Sequence, residues 1–408
     1  MGGLGAGERH TGRGLRNRGY WYRWRERFGF IPYTSAPTIW LHAVSVGEVR
    51  ASAPLVRALL NEYPNHRILV TTMTPTGAAT VRDLFGNTVA HCYVPYDLPT
   101  AVWRFLNRSQ PRLALMMETE LWPNLFHHCH ARAIPLVLAN VRLSEKSARG
   151  YRRFAGLTRA TLAKVRAVGA QATEDAKRIR ELGARTVEVT GNIKFEMEIP
   201  AALTPKAASL RAGFGSRPVW IAASTREGEE PMVLQAFERL RVDFPNLLLI
   251  VVPRHPERFE HVAKLCAQHN FTLERRSAGP SNIAPDTPIL LGDTMGELLL
   301  FYATADVAFI GGSLVPLGGQ NLLEAAALGV PVVFGPHMFN FHEISRMSLE
   351  RGAGRQVNSV TELTDAVATY LKDSDARRAA GEAGRQMLAD NRGSLAKTLA
   401  LVKGVYSA

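Results

Sequence analysis

Short apolar runs alternate along this chain with segments whose apolar positions recur every three or four residues, the two periods of buried strands and amphipathic helices. In the first half the runs are Thr38–Leu41, Ile68–Thr72, His91–Val94, Leu113–Met117, Pro135–Ala139, Ala167–Ala170 and Val187–Thr190. In the second they are Val219–Ala223, Leu247–Val252, Pro288–Leu291, Val307–Ile310 and Val332–Phe334. Strands that are apolar throughout and separated by helices define an α/β fold built on parallel sheets. A Pro- and Ala-rich break at residues 198–208 divides the two series. The pattern therefore predicts two Rossmann-like domains facing a cleft, residues 34–200 and 201–408, preceded by a segment at 1–33. Helices from Ser374 onward can pack on either half. No repeat, low-complexity tract or heptad is evident.

Composition narrows the class without fixing a function. At 408 residues the chain suits two domains, and 46% apolar with 21% charged residues is ordinary for a globular protein. No run approaches the eighteen or so apolar residues of a membrane span; the longest clear core run is Leu247 to Val252. The three cysteines, Cys92, Cys129 and Cys266, are too widely spaced for a metal motif and odd in number, which favours a reducing compartment. A formal charge of +13 points to an anionic partner. Seven arginines fall within residues 1–28 (Arg9, Arg13, Arg16, Arg18, Arg23, Arg25, Arg27), interleaved with Tyr20, Trp21, Tyr22, Trp24 and Phe28. That mixture suits the headgroup level of an anionic bilayer, resembles an arginine-rich RNA-binding segment, and is equally that of a solvated tail.

Polar clusters at the ends of the predicted strands are the candidate chemistry, because open parallel sheets bind ligands outside their carboxyl ends. The most informative is His42 to Glu48, which places a carboxylate at a strand-to-helix turn. Ser45 and Glu48 also have the spacing of a capping box, so a structural use competes with a chemical one. Glu118 and Glu120 open a further turn, where acids can complement a helix dipole, and Lys194 follows the last strand of the first half. In the second half Pro253, Arg254 and His255 end a very apolar strand, where cations fit a phosphate better than a core. Met295, Gly296 and Glu297, then Gly312 and Ser313, then Asn321, Leu322, Leu323 and Glu324 complete the set. Asn321 is a natural helix cap, and a glycine pair alone is only a turn signal. No Walker loop, nucleophile elbow or metal-ligand spacing occurs.

The runs HAVSVGE, TTMTPTGAATV, YVPYDLP, METELWPN, ANVRLSEKSARGY, GNIKF, PRHPERF, LGDTMGELLLFYATADVAFIGGSLV and NLLEAA occur in this order from about Tyr20 to the C-terminus. In this the chain resembles the lipid A 3-deoxy-D-manno-octulosonic acid (Kdo) transferases of Gram-negative bacteria. The resemblance implies the glycosyltransferase B fold and inverting transfer of Kdo from CMP-Kdo to the lipid A precursor lipid IVA, without metal or other cofactor. It also implies Glu48 as general base and Glu118 with Lys194 as transition-state groups. Pro253, Arg254, His255, Met295 to Glu297, Gly312, Ser313 and Asn321 to Glu324 would bind CMP.

One feature departs from the family's pattern. Its members usually begin with an apolar anchor, whereas Met1–Gly7 here leads into arginine-rich sequence, so the expectation is that the anchor was lost or the start site was misassigned upstream of Leu15. The expectation is peripheral attachment to the anionic cytoplasmic face of the inner membrane, with no nucleic-acid partner. The alternatives are another nucleotide-sugar enzyme of the same architecture, such as a hexosyltransferase or an epimerase, and a non-catalytic RNA- or membrane-binding module.

Overall fold

The structure, a computed structural model, describes residues 22–197, 199–279 and 283–407. The chain forms two compact units: residues 1–196 with 391–408, and residues 197–390.

The first unit is built on seven strands, β1 Thr38–His42, β2 Arg67–Thr72, β3 Ala90–Tyr93, β4 Pro111–Met117, β5 Leu136–Val141, β6 Ala167–Ala170 and β7 Val187–Val189. They lie in the order β3-β2-β1-β4-β5-β6-β7, and every pairing is parallel. Every residue of β1 is buried because helices cover both faces, which explains an apolar run where an exposed sheet would alternate. Ile39 and Leu41 enter one core, and Trp40 enters the other, where its ring meets Phe105 with centroids 4.8 Å apart. The winding reverses at β1, whose neighbours are β2 and β4. The crevice beyond the ends of β1 and β4 is thus the position at which such a sheet binds ligand.

Part of the basic N-terminal segment belongs to this core. The short helix Trp24–Phe28 packs on the helix Pro99–Ser109, and Arg104 donates to Phe28 O at 2.9 Å. Arg27 is buried, donates to Met73 O at 2.9 Å and lies over the Tyr93 ring. Arg23 pairs with Glu26 at 2.7 Å and donates to His91 O. Two of the seven arginines expected to meet a membrane are therefore committed to the fold; Arg9, Arg13, Arg16 and Arg18 lie outside the described residues.

The second unit has strands β8 Val219–Thr225, β9 Leu248–Pro253, β10 Leu273–Arg275, β11 Ile289–Leu291, β12 Val307–Ile310, β13 Val332–Phe334 and β14 Gly354–Gln356. Their order is β10-β11-β9-β8-β12-β13-β14, again all parallel, with the reversal at β8 between β9 and β12. The edge strands β10 and β14 were not among the apolar runs, because Leu-Glu-Arg and Gly-Arg-Gln have no continuous apolar character to show. The helices at the C-terminus divide between the units. Ser374–Asp390 stays with the second, while Ser394–Tyr406 buries Leu401 and Val402 in the first and joins Tyr406 to His66 at 2.6 Å. Among the described residues no helix is long and apolar enough to cross a membrane.

Candidate functional site

In the first unit Glu48, Glu118 and Lys194 all stand at the carboxyl end of the sheet. Glu48 is the third residue of the helix Val46–Glu62, behind the N-cap Ser45, whose hydroxyl accepts from Glu48 N at 3.4 Å. Its carboxylate accepts from Val44 N at 2.8 Å and from the Ser45 hydroxyl at 2.9 Å. Cap and candidate base are thus one residue, and the cap fixes where the carboxylate points. Burial is the main reason its pKa is pushed up to about 8; the Glu118 charge adds to the rise, the Val44 amide opposes it, and Glu120 adds again. Glu120 is pushed up to about 7, by burial first, against the indole N–H of Trp122, which donates to it at 3.1 Å. Both carboxyls thus titrate near neutral pH, where a group poised between its two protonation states can take up a proton and give it back.

Glu118 follows β4 directly and adopts a left-handed backbone, φ 59°, which costs a non-glycine residue on the order of 1 kcal/mol. Its own amide is anchored on Ala139 O at 2.8 Å. The Nζ of Lys194 lies 3.4 Å from its Oε1. Lys194 sits in the 3-10 turn Ile193–Phe195 after β7; Asn192 caps that turn by accepting from Lys194 N, and Asn140 accepts from Ile193 N, each at 3.0 Å. Asn140 is buried, also left-handed at φ 58°, and follows the residue that anchors Glu118. Its part in locating the Glu118–Lys194 pair was not visible in sequence, where it reads as one more strand-end amide. His42, buried and with its pKa depressed to about 4 by that burial, closes the floor against Trp122.

In the second unit Pro253 ends β9, and Arg254 continues it by donating its amide to Thr225 O at 3.0 Å. The Arg254 Nε reaches Gln320 Oε1 at 3.3 Å, and His255 Nε2 meets an Arg226 guanidinium nitrogen. Burial, then Arg226 and Arg254, lower the His255 pKa, so this edge carries two guanidinium groups with a neutral imidazole. Glu297 accepts from Nε and Nη2 of Arg276, at 3.0 and 2.9 Å, and from the Thr294 hydroxyl at 2.5 Å. Arg276 keeps its carboxyl below the usual range. Met295 is exposed, and Gly296, at φ 84°, makes the turn between them. Asn321, expected to cap the helix Leu323–Ala327, stands one residue before the N-cap Leu322; its side chain accepts from Leu323 N at 3.2 Å and its amide donates to Glu324 at 3.2 Å. Leu322 and Leu323 are fully buried as whole residues, so in this segment the polar side chains of Asn321 and Glu324 are the groups within reach of a ligand.

Gly312 and Ser313 stand at the expected strand end, yet their amides do not await a phosphate. Both donate to Glu229, at 2.6 and 2.9 Å, and the Ser313 hydroxyl is bonded to Ile310 O and Gly335 N. A buried carboxylate of the same chain occupies these two amides, so any contact of Gly312 and Ser313 with CMP would have to be made by other atoms. Glu229 went unnoticed because a glutamate at a helix start has an ordinary explanation in dipole complementarity. Among the described residues no three His, Cys, Asp or Glu side chains converge as a metal site would require.

Two doubly wound parallel sheets, each with its polar cluster at the strand ends, form the glycosyltransferase B fold. A glycosyltransferase from Rickettsia africae shares it over 91% of this chain and 99% of its own, with TM-score 0.60 at 13% identity. A UDP-GlcNAc 2-epimerase from Neisseria meningitidis does so over 91% and 100%, with TM-score 0.58 at 12% identity; these likenesses concern the fold alone. Residues 22–197 match the 3-deoxy-D-manno-octulosonic-acid transferase (kdotransferase) family, and residues 230–387 match glycosyl transferases group 1. Among curated proteins, the 3-deoxy-D-manno-octulosonic acid transferase of Haemophilus influenzae is 44% identical over 94% of this chain and 91% of its own length. That of Bordetella pertussis is 40% identical over 90% and 87%. The chain belongs to the 3-deoxy-D-manno-octulosonic acid transferase family and is a Kdo transferase.

Proposed function

We propose that the chain transfers Kdo from CMP-Kdo to the lipid A precursor lipid IVA with inversion at the anomeric carbon. The observation that carries this reading is Glu48: a carboxyl at the switch point of the first sheet, aimed by two hydrogen bonds and with its pKa pushed up to about 8. In one displacement the acceptor hydroxyl gives its proton to the Glu48 carboxylate and its oxygen bonds to the anomeric carbon. The bond from that carbon to the phosphate oxygen breaks, and CMP departs with the electron pair. Lys194 and Glu118 stabilise charge developing at the sugar carboxylate and ring. The second unit holds the nucleotide: Arg254 and Arg226 offer cations to the phosphate, and Glu324, tied to Asn321, offers acceptors to ribose hydroxyls. Neutralisation by these side chains supports a reaction that needs no resident metal or cofactor. Two carboxyls poised at or above neutrality favour proton transfer over the non-catalytic binding module.

We place the enzyme peripherally at the anionic cytoplasmic face of the inner membrane. Exposed Trp24, Phe30, Tyr33, Leu98 and Trp103, with Arg25 and Arg104 over the Phe30 ring, support this location. The test is product mass after purified protein meets freshly generated CMP-Kdo and tetra-acylated precursor. Mass gain by whole Kdo residues supports the reading; release of free sugar alone, or none, overturns it.

A further inference from the structure

Glu229 and Glu230 are adjacent, and both are buried. Glu229 accepts four backbone N–H groups: Ser313 at 2.9 Å and Leu314 at 3.0 Å on Oε1, Gly312 at 2.6 Å and Arg226 at 2.9 Å on Oε2. Glu230 accepts the Thr225 hydroxyl at 3.1 Å and Arg258 Nη2 at 3.0 Å. The loops after β8, β9 and β12, which flank the switch point of the second sheet, are therefore fastened to one another through two carboxylates. Three successive amides converging on an oxyanion form the kind of nest that phosphate-binding loops offer a ligand. Here the anion is built in.

The basic groups assigned to the nucleotide rest on the loops so joined. Arg226 contributes its amide to Glu229 and its guanidinium to the contact with His255. Gly312, at φ 68°, brings its backbone against Gln320, where an added Cβ would lie 3.3 Å from the amide nitrogen. Gln320 in turn accepts from Arg254. We propose that Glu229 is the positioning residue of the nucleotide site. It fills the amide nest of the β12 loop from within, sets the spacing of the β8 and β12 loops, and so leaves the donor's phosphate to the side chains of Arg226 and Arg254. This rests on the assignment of CMP to the second unit.

Glu229→Gln keeps the shape but turns one acceptor end into an NH2 group, so two of the four amides lose their partner whichever way the side chain flips. Glu229→Asp keeps a carboxylate. Calorimetric titration with CMP is expected to show affinity lowered roughly tenfold or more in Glu229→Gln, with Glu229→Asp closer to wild type. Hydrogen exchange is expected to show the amides of Arg226, Gly312, Ser313 and Leu314 protected together in wild type and faster by at least about tenfold in Glu229→Gln. A folded Glu229→Gln protein with wild-type CMP affinity overturns the proposal. If that variant does not fold, wild-type exchange still decides: unprotected amides at 312–314 overturn it. Absence of CMP binding by wild type would instead overturn the assignment of the nucleotide, while the exchange data continue to report on the loops.

Discussion

The ammonium of Lys194 lies 3.4 Å from the carboxylate of Glu118, and Glu118 is the charged neighbour that contributes most to raising the pKa of Glu48. The cation therefore reaches the base through an intermediary. Replacing Lys194 by Met leaves the Glu118 charge uncompensated, so Glu48 should bind its proton more tightly. The expected outcome is a kcat/KM profile whose acidic limb moves to higher pH, with activity reduced by about a hundredfold or more if Lys194 also stabilises the transition state. An acidic limb that stays put would separate Lys194 from Glu48.

Glu48→Gln tests the base directly. The Gln carbonyl can still accept from Val44 N and its amide can donate to Ser45, so the cap survives while proton acceptance is lost. Turnover should fall at least about a hundredfold with the far-UV spectrum unchanged. A near-normal rate would return Glu48 to its capping role alone.

The same substitution has a consequence for stability with a definite sign. A carboxyl whose pKa is near 4.3 when unfolded and about 8 when folded binds more protons in the native state between those values. Its contribution is fully present below the unfolded pKa and is lost as pH rises through the folded one. Glu120, at about 7, acts in the same direction. Wild-type Tm should therefore decline between pH 5 and about 8.5, and Glu48→Gln should flatten that decline. Parallel Tm curves for the two proteins would show that burial of Glu48 does not penalise its charge.

Legibility in the sequence followed burial. The interior strands are buried on both faces, so period and composition agreed, and the edge strands β3 and β7 were still reached through the apolar residues they carry; β10 and β14, also at sheet edges, read Leu-Glu-Arg and Gly-Arg-Gln, where Glu274 and Arg355 are tolerated and the apolar signal disappears. Glu48, Glu118 and Lys194 were reached because charged side chains at apolar strand ends stand out, but their roles came from resemblance. Asn140 and Glu229 could not be reached that way. Their importance lies in which distant amides they receive, Ile193 N across 53 residues and Gly312 N across 83, and local pattern carries no trace of those partners.

Nucleotide recognition divides between a cation and an acid. If Arg254 meets the phosphate and Glu324 the ribose, Arg254→Ala and Glu324→Ala should each weaken CMP binding by about 1.5–3 kcal/mol, the range for a hydrogen bond to a charged group. Calorimetry decides, and only the Arg254 loss should shrink at high salt, since it alone removes an ion pair with the ligand. Wild-type affinity in both variants would place the nucleotide elsewhere.

Membrane attachment should follow the exposed aromatics of the first unit and the arginines of residues 1–21. Arg27 and Glu26 hold Met73 and Tyr93, so removing residues 1–28 would damage the first unit as well as any membrane contact. Removing only residues 1–21, with Arg9, Arg13, Arg16 and Arg18, leaves those bonds intact. Each arginine at an anionic surface contributes at most about 1 kcal/mol, and screening reduces the sum. Vesicles with anionic lipid should bind the full chain at low salt and release much of it at high salt. The truncated chain should bind more weakly yet keep turnover on detergent-dispersed acceptor. Trp24→Ala with Trp103→Ala should weaken the salt-resistant remainder, because those rings are exposed in the first unit. Binding indifferent to salt, truncation and both tryptophans would exclude this face as the docking surface.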